Sequence, residues 1–249
     1  MAPSDPITPV DNDAVIEAAR IVARAVHFNQ IDLSAALIAA FKDIRVVSQL
    51  TAGQTSAAWI AEHADKVDPF ATRYEMLLHL MTQEIPDGDL AEFGVFTGAV
   101  TRLLRPHYAD RAYHAFDSFL GVPETMGLAI RAGDFTLGGN VPELPPDTTV
   151  HAGWFDKTVP AFRENFKGRL AFVYIDCDLY ESVSVVLENL HGLFADNAIV
   201  AFDDWYNFPN WQAHSKRAVD ELVARTGLRF TPAGVCVREH SVAFRVTRP

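Results

Sequence analysis

Apolar residues recur at helical spacing in two early stretches. Val15, Ile16, Ala19, Val22 and Val26 do so between about Asp13 and His27, and Leu37, Ile38, Phe41 and Ile44 between about Leu33 and Leu50. A third helical stretch runs roughly from Thr55 to His63. A fourth, Tyr74 to Gln83, presents Leu77, Leu78 and Met81 on one face. Beyond Pro86 the rhythm changes to short apolar runs alternating with helical segments, the pattern of a parallel sheet with crossover helices. Strands are expected at about 89–93, 112–116, 148–152, 170–175, 198–202, 228–231 and 242–247, with helices at about 98–107, 157–166, 180–194 and 210–226. The runs LAFVYI and AIVAF are apolar on both faces, as buried central strands should be. No helix separates the last two strands, so they should form an antiparallel hairpin.

The pattern predicts an α/β architecture with a seven-stranded, mostly parallel sheet, a C-terminal hairpin and an N-terminal helical extension. Residues 1–11 carry three prolines and no periodicity and are expected to be a disordered tail. Residues 12–85 read as a helical cap, a lid or a subunit contact through which the chain would form a homo-oligomer, and 86–249 as the functional domain. The Gly/Pro-rich stretch 120–147 is a long loop of the kind that carries function.

Composition narrows the field. At 249 residues and 49% apolar the chain can bury a sizeable core, and 21 basic against 32 acidic residues give a net charge of −11. That excess of acid argues against nucleic acid or an anionic membrane as partner. No apolar run approaches the roughly 18 residues that would span a bilayer, and the N-terminus lacks the layout of a signal peptide. A cytoplasmic protein acting on small molecules is the expectation. Cys177 and Cys236 are too few for a disulfide framework and sit among apolar neighbours, as core thiols would.

Three places carry candidate chemistry. In Asp89-Leu-Ala-Glu92-Phe-Gly94-Val-Phe96-Thr97-Gly98 a strand runs into a glycine-bearing turn that opens a helix, where a ligand can approach unpaired N–H groups. The spacing is not that of a dinucleotide fingerprint. It suits a ligand whose amino group meets Glu92 and whose carboxylate meets backbone N–H groups, unless it is only a structural turn. Asp117 ends the next strand 19 residues after Gly98, where ribose hydroxyls would be bound, and Ser118 beside it could add a hydroxyl contact or merely help form a turn. Gly153, Trp154 and Phe155 follow the third strand and could pack an adenine edge or belong to the core. Together these describe a nucleoside-shaped ligand at the carboxyl ends of the strands.

The third place is acidic. Asp176-Cys177-Asp178 ends one buried strand and Asp203-Asp204 the next, so four carboxylates meet at one rim and repel unless a cation sits among them. All-oxygen donors favour Mg²⁺ or Mn²⁺. If the strand continues, Asp176 and Asp178 face one side, so that one can bind metal while the other stays free as a general base. His151 and His214 are alternative bases. Tyr180 could line the pocket or simply pack, and the run Trp205, Tyr206, Phe208 and Trp211 suits stacking on a sugar or aromatic ring somewhat better than the start of a helix.

Read together, Glu92-Phe-Gly-Val-Phe-Thr-Gly98, Phe116-Asp-Ser-Phe-Leu-Gly121-Val-Pro123, Gly153-Trp-Phe-Asp156-Lys-Thr158, Ile175-Asp-Cys-Asp-Leu-Tyr-Glu-Ser182 and Phe202-Asp-Asp204 resemble the macrocin O-methyltransferase family over about 70–249. The resemblance implies a class I methyltransferase (Rossmann-like) fold. The implied activity is Mg²⁺-dependent transfer of a methyl group from S-adenosylmethionine to a hydroxyl of a sugar, often a deoxysugar, on a glycosylated natural product such as an antibiotic. It implies that Asp176, Asp203 and Asp204 hold magnesium, that Asp178 is the base, and that Glu92 through Gly98 with Asp117 hold the cofactor. The first motif departs from the family pattern. Paired glycines and a Trp-Arg pair are usual there, whereas this chain has Phe96-Thr97 and Gly98-Ala99. A phenol or catechol acceptor would fit the same chemistry. A D-x-D glycosyltransferase would leave the glycine turn without a role, and a phosphatase of that type would carry its D-x-D on the first strand. A non-catalytic binding protein is the remaining alternative.

Overall fold

The computed structural model describes residues 42–125 and 130–249; the expected tail and first helical stretch lie outside them, and the second, where it is described, runs from Ile44 without a break into the third as one helix rather than two. The chain divides into two compact units, Met1–Thr51 and Ala52–Pro249. The helices of 52–85 therefore share a unit with the sheet.

The elements in chain order are α1 (Ile44–His63), β1 (Pro69–Phe70), α2 (Arg73–Met81), β2 (Asp89–Phe93), α3 (Ala99–His107), β3 (Tyr113–Asp117), β4 (Thr148–Ala152), α4 (Phe155–Asn165), β5 (Leu170–Ile175), α5 (Tyr180–Leu190), β6 (Phe194–Phe202), α6 (Ser215–Thr226), β7 (Arg229–Cys236) and β8 (Val242–Thr247). The sheet runs β1-β7-β8-β6-β5-β2-β3-β4. Only β8 is antiparallel to its neighbours, which gives the expected C-terminal hairpin. This is the class I methyltransferase fold, with eight strands rather than seven. The strand absent from the sequence reading is β1, two residues paired with Val235 and Cys236 of β7 and too short to leave a periodic signal.

Strand alternation sorts the core into two layers. Phe93, Phe116, Val173, Ile175, Val200 and Phe202 point to one face and pack against Val159 and Phe162 of α4, Val183 and Leu187 of α5, and Val219 and Leu222 of α6. Leu90, Tyr113, Phe172, Tyr174, Ile199 and Ala201 point to the other and meet Met76, Leu77 and Leu80 of α2 and Val100 and Leu104 of α3. The start of α2 is set by a Thr-x-x-Glu box: the Glu75 N–H donates to Thr72 Oγ1 at 3.2 Å, and Glu75 Oε2 accepts from the Ala71 N–H at 2.9 Å.

The aromatic run after β6 belongs to this core, which corrects the expectation of a sugar platform. Trp205, Tyr206 and Trp211 are buried. The Trp205 and Tyr206 rings each lie 5.7 Å from that of Trp59 on α1, and Trp205 lies 4.7 Å from Phe244 on β8. The Trp211 Nε1–H donates to Thr55 Oγ1 at 2.9 Å, and the Asn207 N–H to Ser56 Oγ at 2.8 Å, so two hydroxyls on α1 receive the chain where it leaves the sheet.

Candidate active site

A single row of main-chain hydrogen bonds aligns the strand ends. The Gly94 N–H donates to Phe116 O at 3.0 Å, the Asp176 N–H to Phe93 O at 2.8 Å, and the Asp203 N–H to Ile175 O at 2.8 Å. The parallel register thus continues one residue past each strand and brings the glycine turn and both aspartate pairs to one edge. Gly94 has φ +89, and a Cβ there would fall 1.7 Å from the Asp176 carbonyl oxygen. Only glycine lets the turn pass so close to the acidic strand end.

Around that turn Asp117 organises backbone. Its Oδ2 accepts the N–H groups of Val95 at 2.8 Å and Phe96 at 2.7 Å, and its Oδ1 accepts that of Phe119 at 2.7 Å. Of the roughly four acceptor sites of a carboxylate, these bonds use three. Ser118 Oγ accepts the Leu120 N–H at 3.1 Å, the turn-forming role. Phe96 (φ +48) and Phe135 (φ +62) are exposed aromatics in left-handed conformations, and their rings meet edge to face at 5.7 Å. The long loop folds back over the same turn. Leu144 Cδ2 would lie 2.3 Å from a Cβ on Gly98, and Arg102 donates to Glu143 O at 3.0 Å and to Thr97 O at 2.6 Å. Trp154 is exposed beside Gly153, whereas Phe155 turns inward to within 5.8 Å of Phe93, so the pair divides between surface and core.

Glu92 is 1% exposed. Its Oε2 accepts from Thr101 Oγ1 at 2.6 Å and Tyr113 OH at 2.5 Å, and a further bond links it to the Thr101 main chain. The carboxyl therefore closes the first turn of α3, where main-chain donors lack helical partners. A cofactor amino group would meet a side chain the fold has already engaged. Burial raises its pKa to about 7, the hydrogen bonds from Thr101 and Tyr113 opposing the rise.

At the acidic rim, one carboxylate oxygen from each of Asp176, Asp203 and Asp204 lies within 4.8 Å of the other two. Two oxygens on one octahedral Mg²⁺ lie roughly 3–4 Å apart at ~2.1 Å bond lengths, so a small closing of the rim completes the contact. Burial, reinforced by neighbouring carboxylates, pushes Asp176 and Asp204 well above the ordinary range. Uncompensated acids of this kind are the donor set a hard cation satisfies, so these residues fit Mg²⁺ or Mn²⁺. Asp178 joins them by a different route from the one expected. The strand stops at Ile175, and Asp178 is swung back by a left-handed φ of +56, a conformation aspartate tolerates better than most residues. Its carboxyl is also raised by burial and is hydrogen-bonded to Asp204, which lowers it in part.

Asp203 has partners that sequence reasoning missed. Tyr174 OH and Ser241 Oγ donate to Oδ1 at 2.7 and 2.9 Å, and Arg73 Nη1 donates to Oδ2 at 2.6 Å. Of the alternative bases, His151 stacks on Phe116 at 4.2 Å and hydrogen-bonds His114 at 3.2 Å, with burial lowering its pKa to about 4. It belongs to the core and not to the rim. His214 does lie beside Asp178 and Glu181, and burial lowers its pKa. Tyr180 packs outward, donating to Glu221 Oε2 at 2.6 Å beneath the Arg217 guanidinium.

Residues 91–205 match the family described as "Methyltransferase domain". The chain is 34% identical over 143 residues to the 8-demethyl-8-(2,3-dimethoxy-alpha-L-rhamnosyl)-tetracenomycin-C 4'-O-methyltransferase of Streptomyces olivaceus, covering 47% of this chain and 53% of that protein. It is 31% identical over 162 residues to the demethyldecarbamoylnovobiocin O-methyltransferase of Streptomyces niveus, covering 55% and 59%. The match thus spans little more than half the length of these relatives. Among solved structures it resembles the O-methyltransferase NovP (25% identity, TM-score 0.54, 71% of this chain and 80% of that one). The calicheamicin methyltransferase CalS11 shares the fold at 24% identity and TM-score 0.50, over 70% and 80% of the two chains. These matches bear out the resemblance read from the motifs.

Proposed function

We propose that this protein moves the methyl group of S-adenosylmethionine to a hydroxyl of a sugar carried by a glycosylated natural product, with Mg²⁺ as cofactor. The observation that carries the reading is the set of carboxylate oxygens from Asp176, Asp203 and Asp204 within 4.8 Å of one another, at strand ends flush with the glycine turn. The relatives act, by their names, as O-methyltransferases on tetracenomycin and novobiocin compounds, which supports an antibiotic glycoside as acceptor.

Gly94, Phe96, Thr97 and Gly98 would cradle the methionine end of the cofactor, and Asp117 would take a ribose hydroxyl with its remaining acceptor site. Magnesium, when bound, would stabilise negative charge on the acceptor oxygen and ease loss of its proton. Asp178 would receive that proton while the oxygen attacks the sulfonium methyl in line. The carbon–sulfur bond would break as the carbon–oxygen bond formed, with S-adenosylhomocysteine as the leaving group. Holding the two reactants in this alignment is an effect worth about 7–11 kcal/mol in favourable cases. Incubating the protein with methyl-labelled S-adenosylmethionine, Mg²⁺ and a panel of deoxysugar-bearing natural products should give a product heavier by one CH₂ with the label on a sugar oxygen. Glycosyl transfer from a nucleotide-sugar without methyl transfer would refute the reading.

A further inference from the structure

We propose that Arg73 is a counter-cation built into the carboxylate rim, a positioning residue that competes with a divalent ion for Asp203 and so sets how tightly the rim takes that ion. The inference rests on the reading that the rim holds such an ion. Arg73 opens α2, away from the strand ends that supply the acids. Its main-chain N–H donates to Glu239 Oε2 at 2.6 Å, which anchors the start of the helix, and its guanidinium lies 5.2 Å from the Tyr74 ring centroid. From there Nη1 reaches Asp203 Oδ2.

The two oxygens of Asp203 are used differently. Oδ1 receives Tyr174 OH and Ser241 Oγ, which hold the carboxylate in place whether or not Arg73 is present. Oδ2 receives Arg73 and no other hydrogen bond among the described residues, so it is the oxygen freed when the guanidinium leaves. Counted as ionised, Asp176, Asp178, Asp203 and Asp204 carry four negative charges, of which Arg73 balances one. A divalent ion that takes its place on Asp203 balances two. The guanidinium also has somewhere to go. A cavity of about 250 Å³ lined by Arg73, Tyr74, Asp203, Arg238, Glu239 and His240 adjoins it, with a second carboxylate on its wall. Arg73 can leave Oδ2 for that cavity as the ion enters, while its main-chain N–H stays on Glu239 Oε2.

The test is Mn²⁺ binding to the full-length protein by calorimetry, with melting temperature as a second readout. Removing the positive charge and freeing Oδ2 should make Arg73→Gln bind Mn²⁺ about tenfold tighter or more. It should also melt lower than the parent without metal, because a buried carboxylate loses its partner, and gain more on Mn²⁺ addition. Arg73→Lys keeps the charge but loses the planar fork, and should bind about two- to fivefold tighter than the parent. If the parent binds Mn²⁺ and these variants bind no tighter, the inference fails and the metal reading stands. If neither parent nor variants bind Mn²⁺, both fail together. Should Arg73→Gln not fold, the comparison of Arg73→Lys with the parent decides.

Discussion

Replacing Glu92 with Gln should change stability relative to the parent by an amount that becomes steadily more favourable as pH rises. The carboxyl is 1% exposed, and burial lifts its pKa from an ordinary 4.5 to about 7. Below about pH 4.5 it is protonated whether the chain is folded or not, and it contributes nothing to the pH dependence of stability. Between 4.5 and 7 the unfolded chain releases this proton while the folded chain retains it, so stability falls as pH rises through that window. Each pH unit is worth about 1.4 kcal/mol, so by pH 8 the parent has lost roughly 3 kcal/mol that a glutamine never loses. Both strong bonds fall on Oε2, and a glutamine oxygen can accept them from Thr101 and Tyr113. Its NH₂ group needs a place in the core, a cost of about 1–3 kcal/mol that is the same at every pH. The slope is therefore the observable. Melting temperatures of parent and Glu92→Gln at pH 5, 6, 7 and 8 should diverge by roughly 5–10 °C across the series, which spans about 2.5 kcal/mol of that loss, at about 2–4 °C per kcal/mol for a chain of this size. A difference that is flat in pH, or that shrinks, would show that Glu92 is ionised without penalty and that the buried-acid account is wrong.

Other substitutions separate the subsites. Asp178→Asn should lower kcat by about 10²–10⁴-fold while leaving Mn²⁺ and S-adenosylhomocysteine affinity within a few-fold of the parent, and an unchanged kcat would move the base role to His214, the ring beside it. Asp117→Ala removes the acceptor of three backbone N–H groups and should weaken S-adenosylhomocysteine binding measured by calorimetry without changing Mn²⁺ affinity; the opposite pattern would mean the two subsites have been exchanged. Trp59→Ala should destabilise the protein by about 3–5 kcal/mol in urea melts, since its ring packs on Trp205 and Tyr206, and a loss under 1 kcal/mol would argue against that cluster as core.

The sheet and the rim were legible because each left a local signal. LAFVYI and AIVAF are too apolar to lie anywhere but the centre, and the acids that follow them must then sit at strand ends. The partners of those acids were hidden because the signal is not local. Arg73 and Asp203 are 130 positions apart and Ser241 lies in the turn of the β7–β8 hairpin, so no spacing rule joins them. Tyr174 was legible only as one more apolar residue of a buried strand, although its hydroxyl reaches past the strand end. The aromatic run misled for a related reason. Trp205 and Trp211 follow the rim in sequence, but their surroundings are decided by α1, some 150 positions earlier. Asp178 shows a third limit, since alternation holds only while the strand lasts and its left-handed φ comes after the strand has ended.

The close pass of Gly94 by the Asp176 carbonyl would make the proposed cradle for the methyl donor and the acidic edge a single piece of backbone. Reach from donor to acceptor is then a fixed ruler marked in backbone. New acceptors would be accommodated by reshaping the surrounding loops, with that length left untouched.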